Sequence, residues 1–126
     1  MEAWTSDLTI GADYIDSHRV MIAYTSTEIL GTCALEDQGS HWMLEHVWVA
    51  PRVHGRGVGR ALVLDALAAA HTVPAKPVRV ISDPFALKFY ARLGANVIGW
   101  VAAPMDGDPA RVLPLMEFSS APYSVT

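Results

Sequence analysis

The sequence predicts a single α/β domain of 126 residues built on a mixed, mostly antiparallel sheet. Three observations lead there. Between residues 19 and 49 three runs rich in apolar and β-branched side chains follow one another with only short polar breaks, the pattern of an antiparallel meander. Two helical segments, one rich in Ala and Leu, then alternate with short strands, the pattern of helices packed on that sheet. Between the two regions lies a glycine-rich turn, Gly55, Gly57 and Gly59. The chain has length for one hydrophobic core, so residues 1–126 are read as one domain.

Residues 19–25 (RVMIAYT) read as a strand, and residues 29–36 as its hairpin partner across Ser26, Thr27 and Glu28. Asp37, Gln38, Gly39 and Ser40 break the pattern before a third strand over residues 41–49. That strand stops at Pro51, which has no N–H to give a ladder. Residues 58–71 form the first helix, apolar on most faces and closed off by Pro74 and Pro77. Residues 78–81 are a short buried strand. Asp83 is the expected N-cap of a second helix with Pro84 in its first turn, and Gly94 its terminator. Residues 96–101 and 111–118 are the last strands, separated by the Pro104 to Pro109 loop. The predicted order is β-β-β-α-β-α-β-β.

Composition narrows the function. A net charge of −4 gives a field that repels polyanions, so no nucleic-acid or anionic-membrane partner is expected. No apolar run approaches the roughly 18 residues that span a bilayer. The lone Cys33 offers no internal disulfide and no secretory leader opens the chain, so a reducing cytoplasm is the expected compartment. A hydrophobic fraction of 52% exceeds what so small a monomer hides comfortably, which predicts a homodimer. No His/Cys cluster has metal-ligand spacing, so no metal is expected.

Arg52, His54, Arg56 and Arg60 form a positive island in this acidic chain, at the glycine turn. Glycines at 55, 57 and 59 let backbone N–H groups crowd one anion, and the helix that follows points the positive end of its dipole at the same place. Glycines alone also fit a plain flexible turn. A dinucleotide fingerprint fails because Arg60 or Leu62 stands where its third small residue belongs, and a Walker loop fails because no Gly-Lys-Ser/Thr follows.

The run from Val47 through Val49, Pro51, His54, Gly55, Arg56, Gly57, Val58 and Gly59 to Arg60 resembles the acetyl-CoA motif of the GNAT superfamily, a strand ending in Val-x-Pro followed by Gln/Arg-x-x-Gly-x-Gly/Ala. His54 replaces the usual Gln or Arg. A second motif, Asn-x-x-Ala-x-x-Phe-Tyr, resembles Asp83, Ala86, Phe89 and Tyr90, with Asp83 in place of Asn. The resemblance implies a GNAT-like sheet with helices on both faces, lacking the usual first strand and helix, since residues 8–15 match only the end of that region. It also implies an N-acetyltransferase moving an acetyl group from acetyl-CoA to a primary amine of a small molecule or peptide. Val47, Trp48, Val49, His54, Gly55, Arg56, Gly57, Val58, Gly59, Arg60, Asp83, Ala86 and Phe89 are then the acetyl-CoA residues. Tyr90 takes the place of the general acid that protonates the departing thiolate. Glu45, expected on the strand face of Val47 and Val49, is the candidate base, with an ordinary cross-strand charge as its alternative. His46, on the other face, reads as packing or surface. The rival to the enzyme is a non-catalytic acyl-CoA-binding or interaction module.

Overall fold

The computed structural model describes residues 8–15, 18–71 and 76–118. Seven strands form one sheet: β1 Thr9–Ile15, β2 His18–Tyr24, β3 Ile29–Asp37, β4 Trp42–Val49, β5 Val78–Ile81, β6 Ala95–Ala102 and β7 Val112–Phe118. Their order across the sheet is β1-β2-β3-β4-β5-β7-β6. Only β4 and β5 run parallel; the remaining neighbours are antiparallel. A 3₁₀ turn, Pro51–Val53, links β4 to helix α1, Val58–Ala70, and helix α2, Leu87–Arg92, follows β5.

The expected meander, glycine turn, helices and closing strands are all present, with ends shifted by a residue or so. α2 starts later than predicted because residues 84–86 are a turn rather than helix. Asp83 still caps it in kind: its Oδ1 accepts the N–H groups of Phe85 and Ala86 at 2.8 and 3.0 Å. Gly94 ends the helix with φ of 100°, a conformation that is costly for residues with a Cβ.

Side chains alternate along a strand and share a face with their cross-strand partners, so the register sorts the sheet into two faces. Met21, Cys33, Leu35, Leu44, Val80 and Met116 lie on one, linked by the pairs Met21↔Cys33, Leu35↔Leu44, Leu44↔Val80 and Val80↔Met116. α1 covers that face with Val58, Leu62, Val63, Ala66, Leu67 and Ala70, all nearly inaccessible. The fit is close at Gly31, where a Cβ would stand 2.7 Å from the Trp48 carbonyl oxygen and 2.9 Å from Leu62. Small residues on the helix and sheet let the two backbones approach.

Two details of the expected architecture change. The first strand is present: β1 pairs along its whole length with β2, and Leu8 and Ile10 pack against the core. Its Gly11 and Asp13, poor strand formers, hid it from the pattern. Only two residues separate β1 from β2, which leaves no room for a helix between them. The helices also share one face instead of being divided. Tyr90 of α2 packs edge-on against Phe118, ring centroids 6.2 Å apart, and Phe118 stands on the Met116 side of β7. Among the described residues no helix covers the other face, where Tyr24, Trp48 and Ile81 remain exposed.

Candidate active site

β4 and β5 pair only over Trp42–Leu44 and Val78–Val80. Beyond that they part, and the last five residues of β4 have no partner on the β5 side. The Ser82 N–H, which follows β5, instead donates to the Pro114 carbonyl, 3.0 Å away. Past the split, the chain from β4 enters the glycine turn and the chain from β5 enters α2. A cleft of about 790 Å³ lies between them.

Its walls contain most of the residues the sequence singled out: Val47, Val49, His54, Gly55, Gly57, Val58, Gly59, Arg60, Asp83, Ala86, Phe89 and Tyr90. Gly55 and Gly57 have φ of 79° and 87°, in the left-handed region that L side chains avoid, and a Cβ on either would meet no atom within 4 Å. That space is open to a ligand. Gly57 is also the N-cap of α1 and brings no side-chain cap, so the first amides of the helix face the cleft with no side-chain acceptor on the cap residue. Gly59 lies where a Cβ would stand 3.4 Å from Val49 and 3.6 Å from Phe89, which sets the narrow waist between the two helices. This combination of bare amides, a helix N-terminus, Arg60 and an apolar floor suits a long ligand with an anionic head and an apolar arm, as coenzyme A is.

His54 keeps its place on the turn, but its Nε2–H donates to the Val49 carbonyl, 2.9 Å away. The bond satisfies an acceptor at the free end of β4 and commits the ring's Nε2 donor to the backbone. Arg52 of the positive island is ion-paired with Glu28. Arg56 and Trp48, both expected at the cofactor, do not line the cleft; Trp48 lies on the opposite face in register with Thr32. Val53, Phe85, Arg92 and Leu93 do line it. Arg92 and Leu93 repeat the α2 face of Phe89 at helical spacing, a signal that a helical projection of residues 85–93 would have caught.

Tyr90 is buried at the cleft's inner end, with 6% of its surface exposed. Burial first, then the charge of Asp83 and the coupling to Cys33, push its phenol up from 10.0 to about 12. It is protonated throughout the physiological range and able to give a proton. Cys33 lies below, its Sγ–H donating to the Leu62 carbonyl at 3.8 Å. Burial, and then Asp65, push that thiol up from 9.0 to about 12, so it is a core residue and no nucleophile at neutral pH.

Glu45 does not share a face with Val47. Thr32 pairs with Trp48 and Ala34 with Glu45, so His46 and Val47 together oppose Cys33 alone. This is a β-bulge, and it inverts the alternation between the two ends of β4. Leu44, Val47 and Val49 face the helices, while Glu45 and Trp48 face the uncovered side. His46 stands at the bulge with φ of 53°, a conformation uncommon for a residue other than glycine.

A family model of the acetyltransferase (GNAT) domain matches residues 7–100. The chain belongs to the GNAT acetyltransferase family. As such it is an acyl-CoA-dependent N-acetyltransferase domain. No curated protein matches the chain, but solved GNAT structures share its fold. One is a GNAT family acetyltransferase from Elizabethkingia anophelis with acetyl-CoA bound: TM-score 0.76, 14% identity, 90% of this chain and 98% of that one. A nourseothricin acetyltransferase matches with TM-score 0.70 and 21% identity over 89% and 84% of the two chains. The ribosomal-protein-S18-alanine N-acetyltransferase from Escherichia coli matches with TM-score 0.70 and 15% identity over 83% and 70%. Among the described residues of this GNAT domain no group of three or more His, Cys, Asp or Glu side chains is placed to hold a metal. No described helix is long and apolar enough to cross a membrane.

Proposed function

We propose that this domain transfers the acetyl group of acetyl-CoA to a primary amine by direct attack, with the amine arriving from the sheet face on which no described helix lies. The observation that carries the reading is the cleft itself. It runs from glycine amides at the N-terminus of α1 to the unpaired end of β4, and a buried, protonated tyrosine lies at that end.

In this reading the amides of residues 55–59 and the Arg60 guanidinium hold the diphosphate, and Val49, Ala86 and Phe89 enclose the pantetheine arm. The backbone of β4 past the bulge gives the thioester carbonyl a hydrogen-bond donor where negative charge develops. Tyr90 gives its proton to the thiolate sulfur as the C–S bond breaks. The acceptor is a small-molecule or peptide amine. Trp48, exposed on the uncovered side, offers it a flat apolar surface, with cation–π attraction to a nearby ammonium.

Thiol release from acetyl-CoA, followed over a panel of nourseothricin, spermidine and an alanine-first peptide, tests this. Release is expected to need both an amine and Tyr90, and Tyr90→Phe is expected to lower kcat by about 100-fold while leaving coenzyme A affinity within a factor of a few. Binding of coenzyme A with no amine-dependent release would overturn the reading. The exposed apolar side chains Ile98 and Trp100 of β6, two strands away from the split, also support a homodimer, and the lone buried cysteine fits a reducing cytoplasm. Light scattering at micromolar concentration reads the former.

A further inference from the structure

Direct attack by an amine needs a group that first takes its proton. An amine is cationic at neutral pH and cannot attack a carbonyl until its proton is gone. One residue, for which the sequence alone suggested packing or surface, stands out in the structure. His46 is the one described non-glycine residue with positive φ, at 53°, and such conformations gather at functional sites when the fold maintains them. It stands in the bulge of β4, two residues beyond the last pair with β5, where the split between the strands begins. Its imidazole is exposed, at 78% of the side chain, and its Nε2 lies 3.8 Å from Oε1 of Glu45, whose side chain is 28% exposed. Since Glu45 faces the uncovered side, the imidazole reaches to that side too.

We propose that His46 is the residue that takes the proton from the acceptor amine, with Glu45 as the positioning residue that orients the ring and balances the charge it acquires. This rests on the acetyltransferase reading of the cleft. The neutral imidazole removes one proton from the ammonium. The nitrogen lone pair then forms the C–N bond at the thioester carbonyl, and the C–S bond breaks. The sulfur takes the Tyr90 proton, the new amide nitrogen returns its surplus proton to the Tyr90 phenolate, directly or through water, and His46 releases its own to solvent. Acetyl-CoA and the ammonium thus become amide, free thiol and one proton. The left-handed backbone has a use here: it lets a side chain within the bulge reach the carboxylate of its neighbour on the open face.

The charged groups on the neighbouring elements have partners of their own. On β3, the residues facing the bulge are Thr32, Cys33 and Ala34, with the Cys33 thiol buried under α1. On β5, Arg79 is ion-paired with Glu117 of β7. Beyond β5 the next charged group is Asp83, whose carboxylate is engaged by the amides of Phe85 and Ala86.

His46→Gly is the informative variant, because glycine adopts the bulge conformation freely, so the protein is expected to melt no lower than wild type. Its kcat/KM with nourseothricin or the alanine-first peptide at pH 7 is expected to fall about 100-fold. The loss should shrink as pH rises toward the range where the amine sheds its proton unaided, and added imidazole should restore part of the rate. Glu45→Gln is expected to give a smaller loss, on the order of 10-fold, on kcat more than KM. A glycine variant within about threefold of wild type, or one whose loss neither pH nor imidazole relieves, overturns the proposal. Should His46→Gly fail to fold, His46→Asn, which also tolerates left-handed backbone, takes its place. Wild-type protein silent with every amine counts against the acetyltransferase reading itself, and NMR then decides this one separately. Saturating coenzyme A is expected to shift the His46 ring resonances, and an unmoved ring overturns the assignment.

Discussion

The two faces of the sheet are made by the same strands and behave as different materials. Under α1 and α2, Met21, Leu35, Leu62, Leu67 and Met116 are each at most 1% exposed, and the glycines and alanines between them hold helix and sheet in van der Waals contact. On the reverse, Trp48 is 48% exposed and Ile81 41%. The packed face holds the buried core and forms one side of the cleft; the other face, on which no described helix lies, is the one proposed above for the acceptor. The split between β4 and β5 opens between the two faces, and in the proposed mechanism a cofactor held from one side meets an acceptor from the other.

That contrast can be broken or sharpened by experiment. Leu62→Ala, beneath the closest approach of α1 to β3, is expected to cost about 2–5 kcal/mol, read as a fall in the denaturation midpoint. Alkaline titration probes the same face by charge. An unfolded tyrosine ionises near 10.0 whereas buried Tyr90 holds its proton to about 12. Its contribution is therefore intact below pH 10 and lost as pH rises through about 12, because the unfolded chain releases the proton first. The loss is on the order of 3 kcal/mol. Cys33, raised from 9.0 to about 12, starts the decline a unit earlier. Cys33→Ala should delay the onset of the decline from about pH 9 to about pH 10, and Tyr90→Phe should make it shallower above pH 10, by chemical denaturation across pH 8 to 12. Gly57→Ala forces a Cβ into left-handed backbone and is expected to cost about 1–2 kcal/mol, together with a loss of coenzyme A affinity seen by calorimetry. Trp48→Ser, on the bare face, is expected to change the stability of the monomer by no more than about 0.5 kcal/mol. A large loss there, dependent on protein concentration, would show that a second copy covers the face.

Much of this was legible in the sequence where a residue's backbone need is local. The turn at Gly55 and Gly57 and the helix stop at Gly94 require positive φ, and glycine announces that. Asp83 announced a cap, and the alternation of apolar residues announced the strands from β2 onward. The bulge was not legible. Nothing in Glu45, His46 and Val47 marks one of them for a left-handed conformation, which is imposed by the register with β3 on one side and the departure of β5 on the other. That single irregularity moved Glu45 to the opposite face from Val47 and gave His46 a carboxylate neighbour. Nor could periodicity alone show that both helices share one face, since which face a helix covers is decided by the connection and by small residues such as Gly31 opposite it.

The depth of Cys33 has a practical corollary. It is the only cysteine of the chain, and in the folded protein its sulfur stays protonated and out of reach of disulfide dyes. A chromogenic reagent in the cuvette should therefore register coenzyme A as it departs and almost nothing from the catalyst, giving a continuous trace without a correction for the protein. The same silence, once broken by heat or urea, turns that buried sulfur into a one-atom reporter of the sheet and α1 coming apart.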